Sequence, residues 1–272
     1  MDGIHLTGSL IDAGTCPIWV EQRGSGQDLV LFSGLGDTHR AWSSQLDAFS
    51  NRYRVTAIDN RGVGKSELPP GSFSIGDMAA DAVHVLDSLG IANAHIAGFS
   101  LGGAIAQELC LMRPNLSKSL TLVGSWCRTN AYQRQLFESW SWMAETADDD
   151  EAFIRAIYLW VYTRRAHIDG SINRWVRDML AEENPQSTDA FNRTISAILT
   201  HDTADRLHLL RLPTLIVAGE DDLVCPPDVQ HDLALRLPES RLRIISDEAH
   251  QPFQEAPEIF NSIVSEFVSG MH

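Results

Sequence analysis

A chain of 272 residues with 44% hydrophobic and 21% charged residues has the composition of a folded protein, long enough for one α/β domain with an insertion. Its formal charge of −15 creates a field that repels nucleic acid and anionic membrane surfaces, so neither is an expected partner. No apolar run approaches the length that spans a bilayer. Two patterned runs open the chain, Gly3 to Asp12 and Cys16 to Gln22, and the Ala13-Gly14-Thr15 break between them predicts a hairpin. This opening lacks the basic start and apolar run of a signal peptide, which makes the cytoplasm the expected compartment. The four cysteines (Cys16, Cys110, Cys127, Cys225) show no C-x-x-C spacing and read as reduced, packed thiols.

The run Asp28 to Ser33 is continuously apolar in the manner of a strand buried on both faces. A loop bearing Gly34 and Gly36 follows, then a helix over Ala41 to Phe49 and a strand over Tyr53 to Ile58. A helix is predicted over Gly76 to Leu89, a strand over Ala94 to Phe99, a helix from Leu101 to Met112 stopped by Pro114, and a strand over Ser119 to Val123. This alternation predicts a mostly parallel sheet with helices on both faces. From Ser125 to about Arg206 the strand pattern lapses into helix-like segments: Tyr132 to Glu145, Glu151 to Thr163, Ser171 to Ala181 and Asp189 to Leu199. Strands return at Pro213 to Gly219 and Leu242 to Ile245, before a last helix from Pro257 to Val268. Residues 1–124 and 207–272 are thus expected to form the core, and 125–206 an inserted helical cap. Five of the seven tryptophans (Trp126, Trp140, Trp142, Trp160, Trp175) fall in that insertion. The acid run Asp148 to Glu151 reads as a solvated helix start, and no metal site is expected.

Gly98-Phe99-Ser100-Leu101-Gly102 lies where a strand gives way to a helix. A serine hydroxyl serves as a nucleophile when it is held clear of the backbone beside a base. A sharp strand-to-helix turn achieves this with strained dihedrals, and glycines two before and two after remove colliding side chains. The G-x-S-x-G pattern alone is weak; its setting and what lies downstream strengthen it. The strand ending at Gly219 is followed by Asp221 and Asp222, and His250 follows the last strand. The order serine, aspartate, histidine, each at a strand end, is the order that accompanies a nucleophile elbow. Asp222 is favoured as the orienting acid, with Asp221 the adjacent alternative.

Four blocks carry a family resemblance: Phe32 to Gly36 ahead of Trp42; Asp59 to Ser66; the serine elbow; and Gly219-x-x-Asp222-x-x-x-Pro226 with His250, Glu255 and Pro257. The chain resembles the α/β-hydrolase fold superfamily over nearly all of its length outside the cap. Within it, the chain is most similar to the small esterases and lactonases grouped with 3-oxoadipate enol-lactonases. The resemblance implies Ser100, Asp222 and His250 as a catalytic triad, and the amides of Leu35 and Leu101 as oxyanion donors. It implies hydrolysis of an ester or lactone of a small molecule, without cofactor or metal, and the aromatic surface of the cap favours a partly apolar acyl or ring-bearing substrate. Many members carry His-Gly where this chain has Ser33-Gly34. Gly34, His39 and Trp126 are the candidates to border substrate; His39 reads more readily as a polar loop residue, and most of the tryptophans as cap packing, with Trp126 the best placed to face the pocket.

The sequence Gly62-Val-Gly-Lys65-Ser66 invites a phosphate-loop reading, but Asp59 stands where the first glycine is required. Asp59 and Arg61 read instead as a structural pair holding this turn. Three rivals share the triad reading: a lyase or cofactor-free oxidation on the same residues, a ligand receptor with a vestigial site, and thioester cleavage on a carrier. Assembly into a homo-oligomer is left open.

Overall fold

In the computed structural model, which describes residues 7–270, the chain forms one eight-stranded sheet. Its strands are β1 (Thr7–Asp12), β2 (Pro17–Arg23), β3 (Gln27–Phe32), β4 (Tyr53–Ile58), β5 (Ala94–Phe99), β6 (Ser117–Val123), β7 (Thr214–Gly219) and β8 (Ser240–Ile245). They lie in the order β1-β2-β4-β3-β5-β6-β7-β8, with β2 alone running against the rest. The hairpin is present; the part of its first run before Thr7 lies outside the described residues. β5 and β7 are buried along their whole length, as their continuous apolar runs require of central strands covered on both faces.

Register decides where the site can be. Phe32 pairs with Gly98, Phe99 with Val123, Val123 with Val217, and Gly219 with Ile245. The carboxyl ends of β3, β5, β6, β7 and β8 therefore finish together, and the loops that leave them crowd above one edge of the sheet. That edge is where open α/β sheets bind ligands.

Helices α1 (Ser43–Phe49), α2 (Ile75–Ser88) and α3 (Leu101–Met112) connect the first strands. Five helices lie between β6 and β7 with no strand of the sheet among them: α4 (Ala131–Thr146), α5 (Asp150–Val161), α6 (Arg164–Asp169), α7 (Ile172–Leu180) and α8 (Thr188–Leu199). α9 (Pro227–Arg236), α10 (Pro252–Glu255) and α11 (Pro257–Ser269) complete the chain. The apolar faces of α2, α3 and α9 cover one side of the sheet and those of α1 and α11 the other. α5 starts at the acid run as expected, with Asp149 accepting from the amides of Glu151 and Ala152.

The helical segment leaves and rejoins the sheet at one point. Thr203 N–H donates to Cys127 O at 2.8 Å, and Gln107 Nε2 on α3 donates to Trp126 O at 3.0 Å while its Oε1 accepts from Thr203. α9, α6 and α10 are elements that the hydrophobic pattern does not announce. α9 has a weakly amphipathic sequence begun by the Pro226-Pro227 pair, and the other two are six and four residues long. The four cysteines are free and buried, and burial pushes the thiols of Cys110 and Cys127 up to about 12.

Candidate active site

Ser100 stands at the β5–α3 junction with φ 52° and ψ −117°, one of two positive-φ residues other than glycine among those described. An L-residue held there is strained, so the surroundings must fix it. Its N–H donates to Val123 O at 2.8 Å, and its carbonyl accepts from Ser125 Oγ at 3.0 Å. The glycines make the turn sterically feasible. A Cβ on Gly98 would stand 2.2 Å from Gly102 O, and one on Gly102 would stand 2.2 Å from Phe32 O.

His250 Nε2 lies 3.1 Å from Ser100 Oγ and its Nδ1 lies 2.8 Å from Asp222 Oδ2. A carboxylate only accepts, so Nδ1 carries the proton and Nε2 offers its lone pair to the serine hydroxyl. The imidazole is clamped on three sides. Its backbone N–H donates to Val161 O at 3.0 Å, the Phe99 ring packs at 4.8 Å, and Gly124 approaches from beneath. Gly124 has φ +51°, and a Cβ there would stand 2.9 Å from His250 Nδ1.

Asp222 is 2% exposed, and its Oδ1 accepts from the amides of Val224 and Cys225, both at 2.8 Å. Its second oxygen is thereby aimed at the imidazole. The neighbouring Asp221 is exposed and meets no histidine. Of the two adjacent carboxylates, the structure brings Asp222 to His250.

Leu101 opens α3, where a first-turn amide has no intrahelical acceptor and the helix dipole favours negative charge. Leu35 follows Gly34, whose missing side chain is required: a Cβ would stand 2.8 Å from the Phe99 ring and 3.0 Å from Asp37 Oδ2. The loop is braced by Ser33 Oγ donating to Thr38 O at 3.1 Å and by Asn60 Nδ2 donating to Ser33 O at 3.0 Å. Ser33 thus ties the loop where many family members carry histidine.

Two of the expected substrate neighbours are held by contacts within the fold. His39 is buried with Nδ1 2.8 Å from Asp59 and Nε2 3.0 Å from Glu21, so both ring nitrogens are engaged by carboxylates. Trp126 is 0% exposed; its indole N–H donates to Thr129 Oγ1, and its ring packs on Phe137 and His201. The expected Asp59–Arg61 pair is also corrected. Arg61 bonds Asp81 at 2.7 Å, while Asp59 holds His39 and the Lys65 amide, because the turn projects the two side chains onto different elements.

Sequence reasoning missed Asp37, Gly124 and the pair Tyr158 and Tyr162. A carboxylate directly after the Gly34-Leu35-Gly36 turn, and two tyrosines four apart at the end of an expected helix, were the available signals. Burial, followed by the nearby Glu182 charge, pushes the Asp37 carboxyl up to about 7. Glu255 is likewise raised to about 7 by burial, partly offset by the Thr163 hydroxyl and amide that it accepts from. Among the described residues, no group of three or more His, Cys, Asp or Glu side chains is placed to hold a metal ion. No helix among them is long and apolar enough to cross a membrane.

The sequence profile of the α/β-hydrolase fold matches residues 29–257. The chain belongs to the α/β-hydrolase fold family. A protein of Azorhizobium caulinodans, provisionally named carbamate hydrolase RutD, is 32% identical to this α/β-hydrolase-fold chain over 263 residues, covering 93% of the chain and 96% of the relative. Among solved structures, the enol-lactonase from Burkholderia xenovorans LB400 superposes with a TM-score of 0.85 at 22% identity, covering 93% of this chain and 97% of that one. An esterase from Exiguobacterium antarcticum superposes with a TM-score of 0.84 at 23% identity, covering 93% and 96%. At those identities the two structures speak for the α/β-hydrolase fold alone.

Proposed function

We propose that the protein is a serine hydrolase that cleaves a carboxylic ester or lactone of a small, partly apolar molecule through an acyl-enzyme on Ser100. The observation that carries this reading is the unbroken contact from Ser100 Oγ through both His250 nitrogens to a buried, doubly hydrogen-bonded Asp222. His250 Nε2 takes the hydroxyl proton as Oγ attacks the carbonyl carbon, and the amides of Leu35 and Leu101 receive the charge on oxygen. The C–O bond breaks, the leaving alkoxide takes the proton from His250, and water then attacks the acyl-enzyme by the same route. Residues 125–206 act in this reading as the cap over Ser100, and its aromatic side chains favour an apolar acyl or ring-bearing group.

A carbamate is the second reading, favoured by the provisional name of the relatives at 30–32% identity. Its carbonyl would be attacked in the same way. A screen of short-chain esters, lactones, aryl esters and aryl carbamates, with Ser100→Ala as the control, tests both. Turnover of esters or lactones that disappears in the variant supports the first reading, and turnover confined to carbamates supports the second. Turnover that persists in Ser100→Ala, or none with any member of the screen while a fluorophosphonate leaves Ser100 unlabelled, overturns both.

A further inference from the structure

Beside the loop that presents Leu35 lies a second feature that the triad chemistry does not use. A cavity of about 170 Å³ opens between residues 37–44 and the helical segment, with Asp37 in its wall. That is smaller than the roughly 300–1,000 Å³ of pockets that enclose whole ligands, so it suits one functional group. Asp37 is 7% exposed, and among the described residues its carboxyl has neither a hydrogen bond nor an ion pair. Its oxygens are open to the cavity instead, so a donor that enters can reach a carboxyl that the fold itself does not pair.

The other charges of the cavity are already matched. Arg40 lies 3.9 Å from Glu182, which also accepts from Thr38 Oγ1, and Arg174 lies 3.7 Å from Asp178. Asp37 is the acid left over. Facing it from α5, with Tyr162 just beyond its last turn, and from α7 is an aromatic wall: Tyr162 stacks on Trp175 at 4.3 Å, and the Tyr158 ring meets Tyr162 edge-on at 4.8 Å. A carboxylate beside aromatic faces is the arrangement that holds an organic cation, through one charge-assisted hydrogen bond and cation–π attraction.

We propose that this cavity is a subsite for a protonated amine, with Asp37 as the residue that recognises it, so that the preferred substrates carry an alkylammonium group. The link to substrate rests on the hydrolase reading, because Asp37 lies two residues beyond Leu35 on the same loop; the binding of the amine does not. Asp37 shares its surroundings with Glu182, Asp178, Tyr158, Tyr162, Arg40 and Arg174. With its carboxyl near 7, affinity for the cation should rise with pH as Asp37 ionises.

The test is calorimetric titration of the whole protein with n-butylammonium chloride, using 1-butanol as the uncharged match. The expected result is a preference of roughly tenfold or more for the ammonium at pH 8, falling about fivefold at pH 6, and lost in Asp37→Asn. An equal affinity for the two ligands overturns the proposal, as does a preference that survives in a cooperatively folding Asp37→Asn. Should that variant not fold, a preference in the wild type that does not change from pH 6 to pH 8 overturns it as well. Turnover of p-nitrophenyl butyrate is followed separately. Ammonium binding without ester turnover supports the subsite and counts against the hydrolase reading, whereas turnover without binding counts against the subsite alone.

Discussion

The loops after β7 and β3 each bury an aspartate at the carboxyl edge of the sheet, and they treat it in opposite ways. Asp222 accepts from two amides and from His250, so every demand of its charge is met by atoms fixed in the fold. Asp37, buried almost as deeply, has no partner among the described residues and is held far above the ordinary carboxylate range. A satisfied buried acid orients another group; an unsatisfied one keeps a cost in the folded state that an incoming donor can relieve. In the proposed reading the two loops divide the labour of a site, one fixing a proton-transfer chain and the other shaping what can approach it.

The widest way to break this comparison is to remove the group that the Asp222 side serves. Ser100→Ala should lower kcat by roughly 10⁴–10⁶-fold on any ester the wild type turns over, with little change in KM. Asp222→Asn should keep the fold and cost roughly 10³–10⁴ in kcat, because an amide at Oδ2 can present a donor and favour the wrong imidazole tautomer. A drop of only a few-fold in steady-state turnover would mean that His250 is oriented by its backbone and Phe99 alone. Gly124→Ala probes the same chain from beneath. Its Cβ would press on His250 Nδ1 at a backbone φ of +51°, so kcat should fall about 10²-fold for a displacement near 1 Å. Chemical denaturation should show a loss of roughly 1–2 kcal/mol.

The satisfied half of the site is the half that the sequence discloses. Ser100, Asp222 and His250 each follow a strand, and parallel strands in register bring their following residues together whatever the helices do. Gly98 and Gly102 are legible for the same reason, since a sharp turn leaves no room for a side chain. The helical segment offers no such rule. Trp126 sits directly after β6 and reads as a pocket residue, yet Phe137 on α4 and His201 beyond α8 close over it. His39 lies in the same loop as Leu35, but Glu21 and Asp59 come from β2 and the end of β4, and no local pattern announces that they will take both ring nitrogens. Asp37 was hidden for the converse reason: its lack of a partner is a property of everything packed around it.

The smallest expected effect bears on that lack directly. The Asp37 carboxyl is near 7 in the folded chain and near 3.9 when unfolded. Between those values the folded state binds more protons than the unfolded one, so this group makes stability fall as pH rises from about 4 to 7 and leaves the full penalty in place above 7. Glu255, raised in the same direction, adds a slope of the same sign that Asp37→Asn leaves untouched. Asparagine fills the same space without ionising. Asp37→Asn should therefore be more stable than the wild type at pH 8, by roughly 1–3 kcal/mol, and the advantage should shrink towards pH 5. Urea unfolding at both pH values reads this difference. A variant less stable than the wild type at pH 8 would mean that Asp37 is satisfied after all, and the contrast between the two loops would be lost. An advantage that n-butylammonium narrows, by stabilising the wild type and not the variant, would sharpen the contrast by tying the penalty at Asp37 to the ligand that relieves it.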